Sequence, residues 1–244
     1  MSNSNTGRLR TCAVIVAAGN SSRMGTDKIF YEVEGRPLIG YTLRAFEQAQ
    51  TISSVVIVTR EDCVEKMRQL SADCGFDKVT AVVCGGANRQ ESVKKGIEAA
   101  GDGQDFFCIH DGARPLITPE QIDRINRRAY ECGAVCCGTH VVNTFKMMDR
   151  DGYVTQTLDR DRVISVATPQ TFAADLYRDA LQRCSQKLAD FTDDAGLVAQ
   201  AGYPVCFVAC DSDNVKITTP EDLDYFKWAG RKRNLFDKQS SGEY

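Results

Sequence analysis

The sequence predicts an α/β fold: a doubly wound, mostly parallel sheet with a protruding β-hairpin arm. Three observations predict it. Short apolar runs alternate with amphipathic stretches up to about residue 140, the pattern of a parallel sheet covered on both faces. Three of those runs open into polar loops, "AAGNSSRMG", "CGGANR" and "HDGARP", and ligands bind such sheets at the carboxyl ends of strands. Beyond residue 140 the helical period is lost around an Asp-Gly turn at 151–152, as in a two-stranded hairpin.

Taken in order, "CAVIVAA" reads as a buried strand and "PLIGYTLRAFEQA" as a helix with Pro37 in its first turn. "SSVVIVT" is a second strand, and "EDCVEKMRQLSADCG" a helix ending at Gly75. "VTAVVCGG" leads through two glycines into the helix "RQESVKKGIEAAG". "DFFCIHDGARP" is a strand opening into a loop, before a helix with a Thr-Pro start, "TPEQIDRINRRAYECG". The stretch "HVVNTFKMMDRDGYVTQTLDRDRVISVATPQ" reads as two strands folded at "DRDG". A ribbon of that kind is marginal alone, which predicts packing against a second subunit. "ADLYRDALQRCSQK" and "TDDAGLVAQAG" return to helix, "PVCFVAC" and "DNVKIT" read as strands, and "TPEDLDYFKWAG" as a capped helix.

The 244 residues carry 43% hydrophobic and 26% charged side chains, an ordinary globular composition. They divide into one domain over 1–235, with a dimerisation arm at about 140–165, and a flexible tail over 236–244. A net charge of -3 gives no case for a nucleic-acid or membrane partner. The 11 cysteines form no CxxC pair and there are two histidines, so neither a zinc site nor a disulfide framework is expected. Unpaired thiols, with no apolar segment behind the basic residues of "MSNSNTGRLR", point to the cytoplasm.

"AAGNSSRMGTDK" matches neither a Walker loop nor a dinucleotide fingerprint. Its serines, exposed backbone N–H groups, Arg23 and Lys28 can nonetheless wrap a triphosphate; the plain alternative is a solvated connection. Asp111 and Arg114 end another strand, where a carboxylate suits Mg²⁺ held beside phosphate oxygens. Gly85 and Gly86 let a base approach the backbone, and Ser92 opens a helix. Asp213 and Lys216 form a charged pair within "DNVKIT", in a site or in a plain ion pair.

Together "AAGxSxRMG", "GGxxRxxSV", "HDGARP", "NTFK", "DRxxxxxxATPQTF", "TDDA" and "DNVKIT" resemble the 2-C-methyl-D-erythritol 4-phosphate cytidylyltransferases. Ribitol-5-phosphate cytidylyltransferases share most of these blocks. The resemblance implies a Rossmann-like nucleotidyltransferase fold and an Mg²⁺ cofactor. Arg23, Lys28 and Lys216 would be catalytic, with Arg23 and Lys28 stabilising charge on the α-phosphate of CTP. Ala17, Ala18, Gly19, Gly85, Gly86 and Ser92 would hold the nucleotide. Asp111, Arg114, Thr144, Arg160, Thr168 and Lys216 would bind the sugar-alcohol phosphate, Arg160 and Thr168 coming from the other subunit of a homodimer. Asn143, Ala87 and "TDKIF" depart from the usual pattern, and Asn143 with Gly112 of "HDGARP" weakens the choice of methylerythritol phosphate over ribitol phosphate as acceptor. Two rivals stand beside this reading: a glycosyltransferase using "DRD" at 149–151 or "DSD" at 211–213, and a non-catalytic nucleotide-binding module.

Overall fold

The apolar run "CAVIV" forms β1 (Thr11–Val16), whose side chains alternate between two cores. Ala13 and Ile15 join one cluster, Cys12 and Val14 the other, the period-2 signature of a strand buried on both faces. The computed structural model describes residues 9–19, 27–184 and 188–236. After β1 come the short pair β2 (Glu32–Val33) and β3 (Arg36–Pro37), then α1 (Leu38–Gln48), β4 (Ser54–Thr59) and α2 (Val64–Asp73). β5 (Val79–Cys84), α3 (Arg89–Ala100), β6 (Phe106–Asp111) and α4 (Pro119–Cys132) follow. The remainder comprises β7 (Ala134–His140), β8 (Lys146–Met148), β9 (Val154–Thr157) and β10 (Ile164–Ala173). It ends with α5 (Ala174–Arg183), α6 (Asp194–Gln200), β11 (Cys206–Ala209) and α7 (Pro220–Lys232).

Seven strands form one sheet in the order β11-β7-β10-β6-β1-β4-β5. Every pairing is parallel except those of β10 with β6 and β7. Ile39, Leu43 and Phe46 of α1, Met67 of α2 and Ile122 of α4 cover one face. Val93 and Ile97 of α3, Tyr177 of α5 and Val198 of α6 cover the other. The Thr-Pro start of α4 is a side-chain cap, Thr118 accepting from Gln121 N, and α7 carries a full capping box between Thr219 and Asp222. Strand order reverses between β1 and β6, so the crevice outside their carboxyl ends is the binding position for a sheet of this topology.

Two expectations are corrected. "DNVKIT" is not a strand but an extended strap laid against the β6–α4 loop. Ile217 N donates to Ala113 O at 2.8 Å, and Asn214 Nδ2 to Thr168 O at 2.9 Å, so its hydrogen bonds leave no ladder. Asp213 in it pairs with Arg233 rather than Lys216. The end of the 140–170 stretch, from Ile164 on, is not free ribbon either. "ATPQTF" lies in β10, inserted antiparallel between β6 and β7, with residues 168–172 buried. Pro169 argues against a central strand, yet it falls at the ladder irregularity between Ala167 and Gln170, where no pairing is lost. Between His140 and Ile164, β8 and β9 pair around the Asp149–Gly152 turn, and all their residues are exposed.

Candidate active site

Backbone hydrogen bonds draw three strand ends together. Ala17 N donates to Val58 O at 2.7 Å, Gly85 N to Thr59 O at 2.8 Å, and Gly112 N to Val16 O at 2.9 Å. Gly85 is required by this closure. A Cβ there would sit 2.6 Å from the Ala18 Cβ and 2.8 Å from Ser92 Oγ, so its role is to let protein meet protein. Ser92 Oγ accepts from Gly86 N at 3.0 Å and donates to Asn88 O at 2.9 Å, fixing the turn that opens α3.

A cavity of about 390 Å³ lies at these ends. Of the nucleotide residues expected, Ala17, Ala18, Gly19, Gly86 and Ser92 line it, while Gly85 stands behind the wall. Ala87 also lines it, its N–H donating to Glu91 Oε2 at 2.9 Å. Lys28, Arg89, Asp111 and Lys216 supply the charged lining, and Lys28 Nζ donates to Ile217 O at 3.0 Å. Arg23 lies outside the described residues.

A second cavity of about 340 Å³ adjoins the first, with Arg114, Thr168, Gln170 and Asp193 in its wall. Arg89, Asp111 and Lys216 line both cavities. The common wall is an ion network. Asp111 takes Arg89 Nε at 3.1 Å, Lys216 Nζ at 3.0 Å and Arg114 Nε at 3.6 Å. Burial pushes the Asp111 carboxyl up, but Arg89, Lys216 and Arg114 outweigh it and hold it well below the usual carboxylate range. Arg89 Nη1 reaches on to the fully buried Asp194 at 2.8 Å, which also accepts from Tyr177 Oη at 2.8 Å. Burial opposes the charge on Arg89, and Asp194 and Asp111 more than restore it. Arg114 Nη1 donates to Asn214 O at 2.8 Å, fastening the strap beside the second cavity.

Asp111 does not fit a magnesium ligand. Both its oxygens are engaged by cations, and no cluster of three or more His, Cys, Asp or Glu suited to a metal occurs among the described residues. The carboxylate serves as the anchor of three cations. The acidic triplets fare no better: Asp149 Oδ1 accepts Asp151 N and Tyr153 N within its own turn, and Asp211 and Asp213 face Arg233.

Thr168, expected from a second subunit, stands in the chain's own site because β10 is a sheet strand. Its Oγ1 accepts from Asp111 N at 3.0 Å and lies 3.2 Å from His110 Nδ1. His110 Nε2 is 3.3 Å from Arg114 O. A neutral imidazole protonated at Nε2 satisfies all three contacts, donating to the carbonyl and accepting from the threonine. Burial lowers this histidine to about 3, so it stays neutral. Thr144 and Arg160 are exposed and line neither cavity. Sequence reasoning missed Arg89, Asp194, Gln170 and Asn214. The Arg of "GGANRQES" and the second Asp of "TDDA" were the available signals, since both belong to blocks that end at the same sheet edge.

Two cavities sharing a cationic wall, at the switch point of a parallel sheet, are the parts of a nucleotidyltransferase. Comparison with known proteins narrows this. The chain belongs to the 2-C-methyl-D-erythritol 4-phosphate cytidylyltransferase family, whose model matches residues 11–228. It is 41% identical over 217 residues to the enzyme of that name from Pelotomaculum thermopropionicum, covering 88% of this chain and 91% of the relative. It is 42% identical over 212 residues to that of Dehalococcoides mccartyi, covering 86% and 92%. Among solved structures it resembles the 4-diphosphocytidyl-2C-methyl-D-erythritol synthase of Anaerococcus prevotii, with a TM-score of 0.81, 27% identity and 91% and 96% of the chains covered. The Thermus thermophilus cytidylyltransferase gives a TM-score of 0.71 at 30% identity, with 90% and 98% covered.

Proposed function

We infer that this chain joins CTP to 2-C-methyl-D-erythritol 4-phosphate, giving 4-diphosphocytidyl-2-C-methyl-D-erythritol and pyrophosphate in isoprenoid synthesis. The observation that carries the reading is the wall of Arg89, Asp111 and Lys216 common to both cavities. Nucleotide in the first cavity and acceptor in the second would meet there. A phosphate monoester oxygen attacks the α-phosphorus in line, a new P–O bond forms, and the bond to the departing pyrophosphate breaks. The nucleophile is already anionic near neutral pH, so no general base is needed. The obstacle is repulsion between two anions, and Lys28, Lys216, Arg114 and Arg89 place positive charge around the meeting point. Arg23 is assigned with them from the family pattern. Asp111 keeps Lys216, Arg89 and Arg114 converged.

The chain is proposed to work as a homodimer. Val142, Met148, Tyr153 and Val154 are 62–85% exposed on the segment joining β7 to β10, an apolar patch suited to a second copy. Thr144 and Arg160 lie on that same segment, so each is proposed to enter the partner's acceptor cavity. Eleven cysteines with no CxxC pair support a reducing cytoplasmic setting.

Pyrophosphate release from CTP, compared between methylerythritol phosphate and ribitol phosphate, tests the reading. Release with the first acceptor alone is the expected result. Release with the second alone would move the chain to polyol-nucleotide synthesis, and silence with both would leave a nucleotide-binding module.

A further inference from the structure

Lys28 lines the nucleotide cavity, and the residue before it is an aspartate with both carboxylate oxygens engaged. Asp27 Oδ1 accepts from Ile29 N at 3.3 Å, capping the single helical turn Lys28–Phe30. Asp27 Oδ2 receives Arg60 Nη2 at 2.6 Å. Arg60 immediately follows β4, whose last residues accept the N–H groups of Ala17 and Gly85 and so bind two walls of the cavity together. The guanidinium is further held by Asp62 at 3.2 Å and Cys63 Sγ at 2.9 Å. The side chains of Arg60 and Asp27 are 22% and 32% exposed. Asp27 is strong enough a partner to raise Arg60 further above its ordinary range.

We propose that the Asp27–Arg60 ion pair is a latch that positions Lys28, tying the chain just ahead of that lysine to the end of the central strand β4. The pair touches neither cavity and is a positioning device. Its effect rests on the reading of Lys28 as a transition-state cation. A partly exposed pair within reach of solvent contributes little to global stability, about 0–1 kcal/mol. A catalytic group displaced by even 1 Å loses on the order of 10²-fold in rate. The latch should therefore be visible in turnover and nearly invisible in melting.

The geometry also specifies a rescue. Asp27 has φ -70°, the value a proline ring enforces. A proline there would restrain the backbone without needing Arg60.

The experiment compares wild type, R60A, D27N and the double variant D27P/R60A. D27N keeps the cap to Ile29 N and removes the charge pair, together with the weak Cys63 thiol contact on the same oxygen. R60A and D27N should each lower kcat by about 10–100-fold, with the melting temperature moved by less than about 4 °C. D27P/R60A should return kcat to within about threefold of wild type, the residual expected of a restored backbone restraint. A second readout needs no substrate: the rate at which an amine-acetylating reagent labels Lys28, followed by mass spectrometry. That rate should rise severalfold in R60A and D27N and fall back in the double variant. Wild-type kcat and wild-type labelling in both single variants would overturn the latch. Single variants impaired but not restored by the proline would overturn the positioning account. If wild type releases no pyrophosphate with either acceptor, the assigned reaction fails, and the labelling rates alone still decide whether the pair positions Lys28.

Discussion

Arg89 connects two carboxylates of different burial: Asp111 at the cavity wall and Asp194, which is fully buried. Removing it leaves the buried Asp194 carboxyl, which burial already pushes up, without its cation and with the Tyr177 hydroxyl as its remaining side-chain partner. R89A should cost about 3–5 kcal/mol in a denaturant titration, whereas K216A, from a side chain 40% exposed, should cost no more than about 1 kcal/mol. Activity should be lost in both, so stability is the measurement that separates them. His110 supplies a pH dependence. Its proton binds near 6.5 in the unfolded chain and about 3 in the fold. Between those values the unfolded state holds more protons, so stability rises with pH and is lost as pH falls below about 6.5. The slope reaches at most about 1.4 kcal/mol per pH unit. Asp111 contributes in the same direction only further down, within and below the usual carboxylate range. Urea midpoints at pH 7, 5.5 and 4.5 should show this slope in wild type and lose most of it in H110Q, which keeps a donor and an acceptor.

At the level of elements, what could be read in the sequence was what depends on local pattern. β1, β4 and β6 are six-residue runs buried on both faces, and the Thr-Pro caps of α4 and α7 announce themselves. The strap and β10 could not be read that way, because partners decide them. Val215 and Ile217 alternate as in a strand, but the strap's bonds go to Ala113 and to its own turn. β10 was read as one side of the arm because its pattern shows a strand but not its partners, which are β6 and β7. The site followed the same division: the loops were legible from their glycines, and Arg89 was not, because its importance lies in Asp194, 105 residues away. Gly112 shows a sequence signal changing meaning. It stood out as bearing on the acceptor, yet it lines neither cavity, and a Cβ on it would lie 2.8 Å from Ile39 Cδ1 and 3.2 Å from the Ala17 Cβ. G112A should cost about 1–3 kcal/mol through overpacking and leave the ratio of rates with the two acceptors unchanged. A shift in that ratio would return the glycine to a specificity role.

For the whole molecule, the proposed exchange of residues between subunits has a sharp consequence. K216A and R160A should each be nearly inactive alone. Mixed, unfolded together and refolded, they should recover about a quarter of wild-type turnover, because half the dimers are mixed and each then holds one site with both residues intact. No recovery would place Arg160 within its own chain's site or outside catalysis.

The ladder pair Ile164↔His140 has a consequence for the economy of the chain. The segment from 141 to 163 leaves the sheet and returns to it at two residues that already face each other, so it is a closed excursion. Excising it and joining the ends with a two-residue Asn-Gly turn should leave the seven-stranded sheet and both cavities standing. The product would be a well-folded, monomeric, inactive protein, in which the capacity to bind CTP has been separated from the capacity to use it.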